Sequence, residues 1–199
     1  MEEIAPGIWH WTAPHPRIGV RVSSYYLAAE GVLLDPIEPE DGFGWFAEHG
    51  PPAHVLLTNR HHYRSSALFA ERYGVTVHCV REGLHEFDQG PPVEPFDFGD
   101  ELPGGVIAHE VDAICPDETA LYVPAHGALA VADGAVRWEP GGPLVFVPDF
   151  LMDEPERTKD GLRDSYRRLA ELDFRHLLLA HGEPFVGDGR DVLAKFAAS

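Results

Sequence analysis

Leu56-Leu57-Thr58-Asn59-Arg60-His61-His62-Tyr63-Arg64 is the stretch on which the reading of this chain turns. Val55 to Leu57 is a short, continuously apolar run and reads as a buried strand. It stops at Thr58 and becomes a polar loop with a turn former, two adjacent histidines, a tyrosine and an arginine. Ser65 to Tyr73 reads as a helix with Gly74 as its cap, and Val75 to Cys79 returns as a strand. Strand, helix and strand in so short a span make a βαβ unit. Polar side chains delivered to the carboxyl end of such a strand are a common way to build a site.

Upstream of this unit, Ile4 to Trp11 starts with a Pro-Gly turn and runs into an aromatic strand. Val20 to Ala28 alternates as a second strand. Gly31 to Asp35 is a third, joined through a hairpin turn at Ala29-Glu30-Gly31 and ended by Pro36. Phe43 to His49 is a short helix stopped by Gly50-Pro51-Pro52. Downstream, Arg81 to Phe87 reads as helical and Gln89 to Pro95 as a proline-rich connection. Strands are expected at Val106 to Val111, Thr119 to Val123, Ala128 to Ala132, Leu144 to Val147 and Phe174 to Ala180. Lys159 to Leu172 is the clearest helix, because Leu162, Tyr166, Leu169 and Leu172 recur at helical spacing while Arg163, Arg167 and Glu171 face away. Asp191 to Ala198 closes the chain as a helix.

Each half thus has several strands followed by a strand–helix alternation. Two mixed sheets packed face to face with helices outside would bury these apolar strands on both faces. The expectation is one α/β (α+β) domain over residues 1–199, a four-layer αββα sandwich.

Composition narrows the function. Hydrophobic residues make up 44% of the 199, enough for a full core. The net charge of -18, with Lys159 and Lys195 the only lysines, argues against a nucleic-acid partner. No apolar run approaches the roughly 18 residues of a membrane span. Met1-Glu2-Glu3 opens with acid where a secretory signal needs a basic start. Two cysteines, Cys79 and Cys115, then fit a reduced, cytoplasmic protein. The oligomeric state is left open.

The loop resembles the T-H-x-H-x-D-H segment of the metallo-β-lactamase superfamily. On that pattern Asn59 falls on the first His, His61 on the second, Tyr63 on the Asp and Arg64 on the last His. Other segments fit the same resemblance. Asp112 to Glu118 stands where the family has a Pro-Gly-His turn, with Ile114 on the histidine and the thiol of Cys115 one residue away. Asp133, after the strand Ala130 to Ala132, matches the family's metal-bridging Asp. His181, in Ala180-His181-Gly182, matches its late Gly-His ligand. Asp35 resembles the family's strand-end Asp, which supports the site rather than entering it.

The resemblance therefore implies His61, Asp133 and His181 as a metal set for one zinc or iron ion at most, with Asp133 and His181 catalytic. Asn59, Tyr63, Arg64 and His109 are the candidate binding residues. His62 has no counterpart in the pattern and can face either way. A buried, unpartnered Asp133 would cost several kcal/mol, so Arg64 is expected to neutralise it with two parallel hydrogen bonds. Two functions follow. One is a mononuclear hydrolase of an ester, thioester or lactone. The other is a metal-free, non-catalytic relative that binds a small anionic ligand, or a protein partner, in the old pocket.

Overall fold

The computed structural model describes residues 1–87, 90 and 92–199. The connection expected over Gln89 to Pro95 falls in part on residues outside this set. The first half of the chain makes one sheet whose strands lie in sequence order: β1 (Glu2–Ala5), β2 (Ile8–Pro14), β3 (Arg21–Leu27), β4 (Val32–Leu34), β5 (His54–Leu56), β6 (Thr76–Val80) and β7 (Glu94–Phe96). The first four are antiparallel neighbours, and β4 to β7 run parallel. The change of sense has a local cause. Tight turns at Gly7 and Gly31, both at positive φ, make hairpins, whereas the parallel strands need crossovers. Two of these carry helices, α1 (Gly44–His49) and α2 (Ser66–Tyr73).

The second half contributes β8 (Glu101–Leu102), β9 (Val106–Glu110), β10 (Thr119–Val123) and β11 (Ala128–Val131), then β12 (Ala135–Val136) and β13 (Val145–Phe146). After α3 (Pro155–Leu169) come β14 (His176–Leu179), β15 (Phe185–Val186) and α4 (Gly189–Ala197). The second sheet has the order β15-β14-β11-β10-β9-β8. The strand expected at Leu144 to Val147 forms, but it pairs with β12 in a separate two-stranded ribbon. Arg81 to Phe87 is a 3-10 turn rather than an α-helix.

Three apolar clusters give the four layers. Tyr25, Leu34, Leu56 and Phe96 meet Val106, Leu121, Ala130 and Leu178 between the sheets. Phe46 and Phe69 of α1 and α2 cover the outer face of the first sheet, on Leu33, Val55 and Val77. Leu162, Tyr166 and Leu169 of α3, with Leu193 and Phe196 of α4, cover the second sheet on Leu129, Val131 and Leu177. No helix among the described residues is long and apolar enough to cross a membrane.

Polar bonds tie the sheets together where the site lies. The Tyr25 hydroxyl donates to Leu179 O and accepts from Leu179 N, each at 2.9 Å. Ser23 N donates to Ala180 O at 2.9 Å. The end of β14 is thereby fixed against β3, and the residue that follows is His181.

Candidate metal centre

The site is built where β5 runs out. Asn59, in extended backbone, caps a 3-10 turn over Arg60–Tyr63 by accepting from His61 N at 2.9 Å. A 3-10 turn has three residues per turn, so residues i and i+3 share a side. Asn59 and His62 therefore point the same way, into the protein, and His61 points out to solvent. The start of the turn is pinned from the opposite sheet, because Asp117 accepts from Arg60 N at 2.8 Å and pairs with the Arg60 guanidinium.

Both inward residues reach Asp133, which follows β11. Asn59 Nδ2 donates to Asp133 Oδ2 at 2.9 Å, and His62 Nε2 lies 3.2 Å from Asp133 Oδ1. His181 Nε2 is 2.9 Å from the same oxygen. The chain turns sharply after His181: Gly182 has φ 101, and a side chain there would run into the Arg137 carbonyl. That turn brings Arg137 N to His181 O at 3.0 Å. Ligand atoms of His62, Asp133 and His181 all lie within 4.8 Å of one another.

Behind His62 stands Asp35, at the end of β4 with φ 46. Its buried carboxylate accepts from Thr58 N at 2.8 Å, from the Thr58 hydroxyl, and from His62 Nδ1 at 2.9 Å. Asp35, His62 and Asp133 form a continuous chain of charge. Burial alone would lower the His62 imidazole, but the Asp133 carboxylate, with Asp35 behind, pushes it up to about 9. Burial would raise Asp133, yet the two histidines hold it well below the usual carboxylate range. His181 goes the other way, lowered by burial more than Asp133 raises it. At neutral pH the metal-free site holds an imidazolium–carboxylate pair with a neutral imidazole beside it.

Of the residues expected as a metal set, Asp133 and His181 are brought together, and the third side chain beside them is His62 and not His61. Strand-like alternation through the loop would pair residues 59 and 61; the 3-10 turn pairs 59 and 62 instead. An Asn cap ahead of a three-residue step is the signal available in the sequence. Asn59 is brought into the site as expected.

Arg64 is turned inward but does not pair with Asp133. Its guanidinium donates to Ser23 O at 2.6 Å, Asp35 O at 2.8 Å and Ala180 O at 3.2 Å, clamping strand ends of both sheets. His62 takes the place by Asp133 that was expected for Arg64. These bonds hold Arg64 at φ 42, an unfavourable backbone for a side chain of this size. Tyr63 faces the outer layer and packs on Phe87, ring centroids 5.4 Å apart. His109 also lies outside the site. Ala108 faces the space between the sheets, so its neighbour points to the other face, towards the end of α3. Ile114 joins the outer core, and burial pushes the Cys115 thiol well up, so it is no thiolate.

One residue near the site escaped the sequence reading. Glu118 is fully buried and accepts from Gly134 N at 2.8 Å, next to Asp133 in the chain. Burial and the nearby Asp133 push its carboxyl up to about 8.

The donor set suits one ion. Two imidazole nitrogens and a carboxylate oxygen converge, leaving a position for water or substrate. A ligating histidine commonly donates its other nitrogen to a carboxylate, and His62 Nδ1 does so to Asp35. Among the described residues no second group of three such donors converges.

Comparison with known proteins agrees with the architecture. No protein-family model and no curated protein matches the sequence. Solved structures do. A metallo-beta-lactamase family protein from Thermus thermophilus superposes with a TM-score of 0.68 at 19% identity, over 98% of this chain and 80% of that one. A protein solved in a di-iron-bound form gives 0.64 at 21% identity, over 94% and 92%. The DIM-1 metallo-beta-lactamase gives 0.74 at 14%, over 99% and 94%. This chain therefore has the metallo-β-lactamase fold.

Proposed function

We propose that the chain is a mononuclear metal-dependent hydrolase, holding one zinc or iron ion through His62, Asp133 and His181 and cleaving a small ester, thioester or lactone. The observation that carries this reading is the convergence of those three side chains within 4.8 Å, with His62 already anchored to Asp35. The ion, when bound, lowers the pKa of a water and polarises a carbonyl.

The rest of the work falls to the chain. Asp35 fixes the His62 ring and its tautomer. Asn59 occupies Asp133 Oδ2, which leaves Oδ1, the oxygen that His62 and His181 both approach, as the one that would face the ion. Arg64 holds β3, β4 and the end of β14 in register, so His181 cannot drift. A cavity of about 980 Å³ opens at Gly182, and the half-exposed Trp138 ring lies 6.2 Å from that of His181.

A second reading has its own observation in favour. Without an ion, the His62 imidazolium pairs with Asp133 at 3.2 Å and with Asp35 at 2.9 Å, so the buried charges are matched in the metal-free state, which suits the non-catalytic alternative with a small anionic ligand. Elemental analysis of untagged protein separates the two, followed by assay against a panel of esters, thioesters and lactones. The hydrolase reading expects an ion that is lost on His181→Ala, and turnover that chelator abolishes. Protein without metal, unaltered in stability and activity by chelator, leaves the anion pocket.

A further inference from the structure

A second pair of imidazoles meets at the far end of β5. Parallel pairing sets Leu56 opposite His78 and Val80 opposite Phe96. Leu56, Val80 and Phe96 all point between the sheets. Side chains alternate along a strand and directly opposed residues share a face. His54, His78 and Glu94, which is opposite His78 on β7, therefore project from one face of three adjacent strands. His54 lies four residues before Thr58, about 13 Å away at roughly 3.3 Å per residue, so this group is separate from the site above.

The two rings are already placed. His54 Nδ1 and His78 Nε2 are 3.2 Å apart, and both residues are half-buried. Zinc bonds imidazole nitrogen at about 2.0–2.1 Å in a tetrahedral shell, which sets two ligand nitrogens about 3.3 Å apart. In the absence of an ion, the same spacing is filled by a single shared proton. Glu94 is exposed and has no hydrogen-bond or ion-pair partner among the described residues. Its carboxylate is free to swing over its neighbour.

We propose that His54 and His78, completed by Glu94 and water, bind a divalent transition-metal ion of the zinc type. Imidazole with one carboxylate suits this class and excludes calcium and magnesium, which prefer all-oxygen shells. The ion would staple β5, β6 and β7 at the end opposite the catalytic loop, and it would compete with the proton now shared by the two rings.

The test uses full-length, untagged protein stripped by chelator and titrated with zinc, read by calorimetry and by the zinc-induced rise in Tm. Two ions are expected in the native sequence. His54→Gln and His78→Gln should each take one, and Glu94→Gln should weaken the second ion about tenfold or more. His181→Ala should also take one and keep the part of the Tm rise that His78→Gln loses, while His78→Gln keeps the part due to the other ion. If native protein binds a single ion that His181→Ala abolishes, and both Gln variants match the native curve, this site is overturned and the hydrolase reading stands. If His181→Ala matches native protein while both Gln variants lose an ion, the reverse holds. A second ion unaffected by either histidine variant also overturns the assignment.

Discussion

His61 and His62 carry the same side chain one position apart, and backbone geometry alone decides which enters the site. Asn59 caps the turn, the turn advances by threes, and His62 comes to face Asp133. Residue types at this site were readable in the sequence. Asp133 and His181 follow apolar strands and lie where a strand-end reading puts them. The turn geometry was harder to read, because two adjacent histidines fit either periodicity and only the Asn59 cap points to the three-residue step. Nor was the partnership of Asp35 with His62, which joins residues far apart in the chain. That partnership predicts a pH effect in metal-free protein. The folded-state pKa of His62, about 9, lies above its ordinary 6.5. Stabilisation is thus fully present below pH 6.5 and is lost as pH rises through 9. Denaturant titrations of chelator-treated protein should show stability falling between those values by a few kcal/mol at most, and His62→Gln should flatten that limb.

Whole elements were more legible than single side chains. The apolar stripe of α3, the βαβ unit around α2 and the strands β9 to β11 all announce themselves by period, because each buries one face against a neighbour. The two-residue strands β8, β12 and β15 left no periodic signal, being too short to show alternation. Helix α3 begins at Pro155, four residues before the expected Lys159, and proline suits the first turn of a helix. Leu162 is fully buried where α3 meets the second sheet. Leu162→Ala should cost about 2–5 kcal/mol, measured as a lower midpoint in chemical unfolding. Because the change lies on the outer face, the binding of metal at His62, Asp133 and His181 should survive it under folding conditions.

Across the molecule, the carboxyl ends of β4, β5, β11 and β14 converge from two sheets, and each ends in a residue the centre uses. Arg64 and Tyr25 hold that junction with bonds to carbonyls and amides on both sides. The chain as a whole is strongly acidic, with a net charge of -18. Self-repulsion of that size destabilises a compact chain, so Tm should rise as salt is added from low ionic strength to about 0.15 M, where screening reaches about 8 Å. The metal centre itself hinges on one inward-facing histidine. The decisive measurement is zinc affinity by calorimetry in His61→Ala and His62→Ala, each compared with His181→Ala. His61→Ala should keep the affinity of the catalytic site, whereas His62→Ala should lose it as His181→Ala does. Loss in His61→Ala with retention in His62→Ala would contradict the assignment of His62 as the ligand.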